Sequence, residues 1–247
     1  MLHTFAHGDA VEIRIDRPPA NALNHDLLEA IIAAIDDAVA AGARGLVLAG
    51  REGMFCAGID VPELLGQDRV AIERFWGLLF GAARALASCP VPVAAALAGH
   101  SPAGGAVLAA HCDYRVAADG NFKIGFNEVA VGLPLPTTIM QVFADLVGTR
   151  TARRYGSEGR MMKMQEALEI GLVDELAPAE RVLPQALEYL ETLLALPSAA
   201  MNRTRRVGKA HVLAALESSD DVARTVDAWF SDETQREMNA LVASLKK

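Results

Sequence analysis

The sequence is poor in cysteine, and the cysteines it has are far apart. Its 247 residues contain three, Cys56, Cys89 and Cys112, with no Cys-x-x-Cys pair among them. An odd and widely spaced set favours neither a disulfide framework nor a structural zinc site. We therefore expect no bound metal and a cytoplasmic protein.

Basic residues are also in short supply. Lys and Arg number 23 against 31 Asp and Glu, which gives a net charge of −8. A protein that coats nucleic acid needs a basic surface to neutralise phosphates. This balance predicts that nucleic acid is not a partner.

The longest stretch without charge runs from Arg84 to Asp113, and it is not a continuous apolar run. It contains Gly99, Pro102 and Gly104, which would interrupt a membrane-spanning helix. The amino terminus lacks the basic and apolar regions of a signal peptide. We expect a soluble protein with no membrane partner.

What the sequence does contain is ordinary for a globular protein, with 52% apolar and 22% charged residues. Alternating or fully apolar runs predict strands, and apolar residues at helical spacing predict helices. Asn24 is placed to cap the first helix. After Thr137 the pattern is almost entirely helical. The predicted strands are 10–16, 45–50, 91–98, 114–117 and 121–125, and the clearest helices are 24–41 and 104–111. This order predicts an α/β fold with a helical C-terminal part.

Three glycine-containing loops, at 55–60, 99–105 and 125–128, are the candidate functional sites of the chain. Gly104 and Gly105 open a predicted helix, where free backbone N–H groups and the helix dipole favour a developing negative charge. Any one of these loops is more often a simple turn. The three loops indicate a function only when they are taken together and in this order along the chain.

Motifs along essentially the whole chain resemble the enoyl-CoA hydratase/isomerase (crotonase) family. The matching strings are RPPANAL at 17–23, F-x-A-G-x-D at 55–60, P-V-x-A-A at 92–96, AGG at 103–105, CDYR at 112–115, the segment 125–132 and A-x-x-x-G-L-V at 167–173.

The resemblance implies a crotonase-type spiral of ββα units with a helical C-terminal region. On this model residues 1–190 form the spiral core, and residues 191–247 form a helical region for trimerisation or docking. The family assembles as homotrimers or hexamers and takes acyl-CoA thioesters as substrates. No separate cofactor is implied, because coenzyme A is part of the substrate.

The resemblance also assigns roles to residues. The backbone N–H groups of Ile59 and Gly104 would form an oxyanion hole that stabilises a thioester enolate. Residues that would line the CoA-binding loop are Ala57, Gly58, Asp60 and Val61, with Ala20 near the nucleotide end.

The acidic residues at two positions distinguish the hydratases from the isomerases within this family. A typical hydratase has two glutamates, but here the first position is Val107 and only the second, Glu128, is present, preceded by Asn127. One group suffices to move a proton between two carbons, whereas hydration needs two. The pattern resembles the Δ3,Δ2-enoyl-CoA isomerases of the mitochondrial type, which act in fatty-acid β-oxidation. Glu128 would be catalytic, and Asn127 would contact substrate.

Alternatives remain open at this point. One is a hydratase or another crotonase-family enzyme, such as a dehalogenase or decarboxylase, and another is a non-catalytic crotonase-like binding protein. A serine-hydrolase reading of His100 and Ser101 is disfavoured because Pro102 lacks the N–H that such a site needs.

Several other features have a plain structural interpretation. His111 is expected in the core or an interface, and the methionines at 161–164 are expected to serve packing, with an acyl-chain wall as the alternative. The basic residues Arg203, Arg205, Arg206 and Lys209 are expected on a solvated helix face, with contact to CoA phosphates as the alternative. An amphipathic helix at 232–247 would pack either on its own core or against another subunit.

Overall fold

The computed structural model describes residues 1–218 and 220–245, and their elements alternate between strands and helices in the first half of the chain. The strands are β1 Leu2–His7, β2 Ala10–Ile15, β3 Gly45–Ala49, β4 Gly53–Met54, β5 Val93–Leu97, β6 Gly99–Pro102, β7 Tyr114–Ala118, β8 Lys123–Gly125, β9 Met162–Lys163 and β10 Glu175–Ala177. The helices are α1 His25–Ala40, α2 Val61–Leu64, α3 Arg69–Ser88, α4 Gly104–His111, α5 Thr137–Val147, α6 Thr149–Glu158, α7 Met164–Glu169, α8 Val182–Leu194, α9 Ser198–Gly208, α10 Ala210–Ser218, α11 Asp221–Trp229 and α12 Asp232–Leu245.

The main sheet has the strand order β1-β2-β3-β5-β7-β10. β1 and β2 form an antiparallel hairpin, and the remaining neighbours are parallel. Every residue of β3 and β5 is buried, as the uninterrupted apolar runs predict for strands covered on both faces. Leu46 and Leu48 belong to the larger core with α1 and α3, whereas Val47 packs on the opposite face with Leu190 of α8.

A smaller sheet has the strand order β4-β6-β8-β9. Its strands β4, β6 and β8 follow β3, β5 and β7 of the main sheet along the chain. β6 was expected to be part of a loop, but Ser101 and Pro102 pair in parallel with Ile124 and Gly125. This pairing holds the segment before α4 beside the segment that follows β8. The small sheet thereby brings two of the three glycine-containing loops together.

The C-terminal half is mostly helical, as predicted, but it also contains β9 and β10. β9 pairs with β8, and β10 adds a parallel strand beside β7. These strands have two and three residues, too few for a periodic pattern to show in the sequence. Met162 and Met164 are fully buried in the core, which confirms a packing role for these two methionines, whereas Met161 is half-buried.

Helix α12 packs on its own chain, one of the two arrangements expected for it. Met238 is completely buried in the main core, and Leu241 and Val242 pack against that core. Lys246 and Lys247, the end of the predicted helix, lie outside the described residues.

The interpretation of the basic cluster as a solvated face is wrong for two of its members. Arg205 and Lys209 form ion pairs with the largely buried Asp113, at 2.5 and 2.8 Å. Asp113 also accepts a hydrogen bond from the N–H of Val93 at the start of β5. These contacts fasten α9, which has no buried residue of its own, to the end of α4. Arg203 and Arg206 are exposed, as expected.

Within residues 1–218 and 220–245, no helix has the length and apolar character needed to cross a membrane. The same residues contain no group of three His, Cys, Asp or Glu side chains that could hold a metal ion.

Candidate active site

A cavity of about 540 Å³ opens between the glycine-containing loops and the C-terminal helices. Its walls are largely apolar and come from distant parts of the chain. They include Trp76 and Leu79 of α3, Val107 of α4, Ile139 of α5 and Met238 and Leu241 of α12. Such a lining suits a hydrocarbon chain.

The structure brings the residues singled out in the sequence to this one cavity. Those that line it are Ala20, Ala57, Ile59, Asp60, Val61, Gly104, Asn127 and Glu128. Gly58 is the exception, since it lies behind the lining. There it contacts the start of α4.

The N–H group of Ile59 is left free by the way its neighbours pair. Leu23 forms a parallel bridge with Ile59, in which Leu23 donates to the Gly58 carbonyl at 2.7 Å and accepts from the Asp60 N–H at 2.8 Å. Consecutive N–H groups of an extended segment point to opposite sides. In the described residues no acceptor is found for the Ile59 N–H.

The N–H group of Gly104 is free because it begins α4. The preceding residue, Ala103, has φ +44°, an unfavourable conformation for alanine, and its N–H donates to the Gly125 carbonyl at 2.8 Å. Since the first N–H groups of a helix have no intrahelical partner, the positive end of α4 faces the cavity. No described group accepts from Gly104 either.

Close packing places these two N–H groups in neighbouring segments. A Cβ on Gly104 would lie 2.8 Å from Leu23 Cδ1 and 3.3 Å from Gly58 Cα. A side chain at position 104 would therefore displace the Leu23 side chain and crowd Gly58. The two unpaired backbone donors therefore lie in segments that pack against each other at the wall of one cavity.

Glu128 is the last residue of the third glycine-containing loop and the first of a 3₁₀ turn, Glu128–Val131. Its side chain lines the cavity yet is only 8% exposed, and its Oε2 is buried without a partner among the described residues. Burial raises the pKa of Glu128 from 4.5 to about 7, opposed slightly by its own backbone N–H. A carboxyl group with this pKa exchanges protons readily at neutral pH.

Asn127 presents a second unpaired acceptor, because its Oδ1 is buried without a partner in the part of the chain that the structure describes. The side chain lines the same cavity. It is therefore available to a hydrogen-bond donor on a bound ligand.

The other carboxyl group in the lining, Asp60, is already engaged. It pairs with Arg17 at 2.6 Å and accepts from the N–H of Glu63 at 3.1 Å, which caps α2. Val107 is apolar and 1% exposed. Among the described residues that line the cavity, Glu128 is thus the one acid with a carboxyl oxygen that has neither an ion-pair nor a hydrogen-bond partner.

The sequence did not reveal the part played by Asn21. This residue is fully buried with φ +54°, and its Nδ2 group faces the carbonyls of Ile15, Met54 and Phe55 at 3.0–3.2 Å. Its Oδ1 accepts from the Arg17 N–H at 2.8 Å. The side chain joins the segment after β2 to the start of the 55–60 loop, which carries Ile59. The sequence signal for this role was the position of Asn21 in the N-A-L string at 21–23.

His111 is in the core, as expected, and 1% exposed. Its Nδ1 lies 2.7 Å from the Val107 carbonyl, and burial lowers its pKa to about 4. Ser101 is fully buried and donates to the Gly99 carbonyl at 3.2 Å, outside the cavity lining. This placement gives no support to a serine nucleophile.

Comparison with known proteins identifies the architecture. The model of the family described as enoyl-CoA hydratase/isomerase matches residues 7–241. The chain belongs to this family.

Two curated relatives and one solved structure illustrate the range of similarity. The chain is 27% identical over 240 residues to enoyl-CoA delta isomerase 1, mitochondrial, of Homo sapiens, covering 95% of this chain and 80% of that protein. It is 34% identical over 241 residues to a probable enoyl-CoA hydratase of Rhizobium meliloti, covering 95% and 91%. The crystal structure of human mitochondrial delta3-delta2-enoyl-CoA isomerase superposes with a TM-score of 0.95 at 26% identity, covering 99% of this chain and 98% of that one.

These comparisons confirm the crotonase-type fold with its helical C-terminal region. The enzyme is a member of the crotonase superfamily, whose members act on acyl-CoA substrates. Both isomerases and hydratases occur among its relatives, so the choice between the two reactions depends on the site.

Proposed function

We propose that the protein is a Δ3,Δ2-enoyl-CoA isomerase that moves the double bond of a 3-enoyl-CoA to give trans-2-enoyl-CoA, a step of fatty-acid β-oxidation. The observation that carries the proposal is the single unpaired carboxyl group among the described lining residues, Glu128, in the same cavity as the free N–H groups of Ile59 and Gly104. An apolar Val107 occupies the position of a hydratase's first acid.

In this mechanism the thioester oxygen lies between the N–H groups of Ile59 and Gly104. Glu128, ionised, removes a proton from C2, and the electron pair spreads onto the thioester oxygen to give a dienolate. Backbone donors of this kind typically lower a barrier by about 3 kcal/mol each. The protonated Glu128 then returns the proton to C4, and the double bond comes to rest between C2 and C3.

The apolar lining supports this reaction over hydration. Hydration requires a water molecule to be activated and a proton to be delivered to carbon, which is the work of two acid–base groups. The walls formed by Val107, Trp76 and Met238 offer no second group. They also keep water from the dienolate.

The decisive experiment compares Glu128→Gln with the wild type on 3-enoyl-CoA and 2-enoyl-CoA substrates of several chain lengths. Glutamine keeps the shape of the side chain but cannot accept a proton. We expect at least a hundredfold loss of isomerase kcat, the usual scale of acid–base catalysis, with acyl-CoA binding retained. The matched control is Glu73→Gln, at an exposed glutamate of α3, which should leave kcat unchanged.

Two results would count against the proposal. Near-native isomerase turnover in Glu128→Gln would assign the proton transfer to another group. Hydratase turnover equal to or above isomerase turnover in the wild type would favour the hydratase alternative.

A further inference from the structure

Helix α12 contacts the turn that carries Glu128 through one buried hydroxyl group. Thr234, in the first turn of α12, is fully buried, and its Oγ1 donates to the Gly132 carbonyl at 2.7 Å. Gly132 follows the Glu128 turn directly and has φ +77°, so it ends that turn in a left-handed conformation. The two partners are 102 positions apart in the sequence.

The peptide group that accepts the hydrogen bond from Thr234 also forms a hydrogen bond with the backbone of Glu128. The carbonyl of Gly132 and the N–H of Leu133 belong to one planar peptide unit. That N–H donates to the Glu128 carbonyl at 3.1 Å. A chain of two hydrogen bonds therefore runs from the Thr234 hydroxyl, through one rigid peptide plane, to the backbone of Glu128, and linked bonds of this kind strengthen one another.

Packing leaves little freedom around this contact. A Cβ on Gly132 would lie 3.0 Å from Thr234 Cα and 3.3 Å from Thr234 N. Ser231 fixes the hydroxyl from the other side, with its Oγ 3.0 Å from Thr234 Oγ1. Four residues after Thr234, Met238 lines the cavity that contains Glu128.

We propose that Thr234 is a positioning residue, which holds the Glu128 turn so that one carboxyl group faces both carbons between which the proton moves. The proposal rests on the proposed function and assigns to α12 a part in the reaction besides closing the cavity. Without the hydroxyl the Gly132–Leu133 peptide plane can tilt. The Glu128 carboxyl group then loses its fixed direction and its protection from water.

The charged groups near Glu128 do not offer a competing explanation for a change in its titration. Arg17 and Asp60, which line the cavity, are paired with each other. On α6 and α12, which pack against the turn, the charged residues are exposed or pair with one another, as Arg154 does with Glu158 and Arg236 with Glu237. The remaining ones are Arg150, Arg153, Asp232 and Glu233.

The test uses Thr234→Val, which keeps the shape and removes the hydroxyl, beside Thr234→Ser, which keeps the hydroxyl. We expect Thr234→Val to lower isomerase kcat about tenfold with little change in KM. We also expect the midpoint of its kcat–pH profile to fall toward that of an ordinary carboxyl group. Thr234→Ser should restore both values to near those of the wild type. Thr204→Val removes an exposed hydroxyl that bonds within α9, and it should change neither.

A measurement without turnover separates this proposal from the proposed function. The protonation of Glu128 can be followed by infrared difference spectroscopy against Glu128→Gln, and its midpoint should be lower in Thr234→Val than in the wild type whatever the reaction is. Should Thr234→Val not fold, Thr234→Ala carries the same expectation. Unchanged kcat and midpoint in the folded variant, or equal impairment in Thr234→Ser, would overturn the assignment.

Discussion

At the scale of single residues, the environment of Glu128 turns a common surface residue into a useful base. The side chain is almost completely enclosed by apolar groups, and this burial raises its pKa to about 7. An isolated buried charge is costly, so the carboxyl group resists ionisation until the pH approaches neutrality. At neutral pH it is then present in both forms, as a group that takes and returns one proton requires.

The pH dependence of the reaction should report this shift. Because the free enzyme must hold Glu128 ionised to remove a proton, isomerase kcat/KM should rise with pH and level off above about 7. Two pH units below the midpoint, the rate should be lower by about a hundredfold. Initial rates between pH 5 and 8.5 measure this. A midpoint near the ordinary value for glutamate, or a flat profile, would show that Glu128 is not the base.

At the scale of elements, a helix of the cavity wall takes its cap from another helix. The residue before α5 is Pro136, whose side chain cannot accept a hydrogen bond. Asp221, the buried first residue of α11, instead accepts from the N–H groups of Thr137 and Thr138 at 3.1 and 2.8 Å and from Thr138 Oγ1 at 2.8 Å. This carboxylate ties α11 to the helix that carries Ile139.

Removing this carboxylate should destabilise the protein markedly. Asp221→Ala leaves three donors unpaired, two of them buried, so we expect the free energy of unfolding to fall by roughly 3 kcal/mol, and by less in Asp221→Asn, which keeps one acceptor. The adjacent Asp220 pairs with Arg224 in an exposed position, and Asp220→Ala should cost under about 1 kcal/mol. Urea unfolding of the three variants measures this. Equal losses at positions 220 and 221 would contradict the assignment.

How far the sequence predicts this structure depends on the range of the contacts. Helix α4 was predicted at its observed bounds, and Asn24 caps α1 as expected, accepting from the Leu27 N–H. Both signals are local. β6 was missed because four residues carry no periodicity and its partners lie on other segments.

The same distinction applies to the site. Glu128 and Gly104 lie in motifs that can be recognised in the sequence, and the structure places both in one cavity. Thr234 and Asp221 carry no local signal, because their partners are far away in the chain. Asp221, for example, is 83 positions from Thr138. Their contribution follows from tertiary packing alone.

At the scale of the whole molecule, two buried groups with opposite shifts act on stability over the same pH range. The pKa of Glu128 is raised from 4.5 to about 7, so between these values the folded protein holds a proton that the unfolded chain has lost. Stability therefore falls as pH rises through this range. The pKa of His111 is lowered from 6.5 to about 4, so between these values the unfolded chain holds the extra proton, and stability rises with pH. Each slope approaches about 1.4 kcal/mol per pH unit.

Because the two slopes have opposite signs, they should largely cancel between about pH 4.5 and 6.5. A variant that removes one of the two groups should therefore reveal the slope caused by the other. Relative to the wild type, Glu128→Gln should gain an upward slope of about 1.4 kcal/mol per pH unit, because the opposing proton is gone. His111→Gln, which stays neutral at every pH, should gain a downward slope of about the same size. Denaturant unfolding at pH 5, 5.5, 6 and 6.5, at one protein concentration, measures both differences. The double variant should recover the wild-type slope, because neither group contributes to the pKa shift of the other and the two titrate independently. Parallel curves for the wild type and either single variant would mean that the group concerned does not keep a shifted pKa in the folded protein.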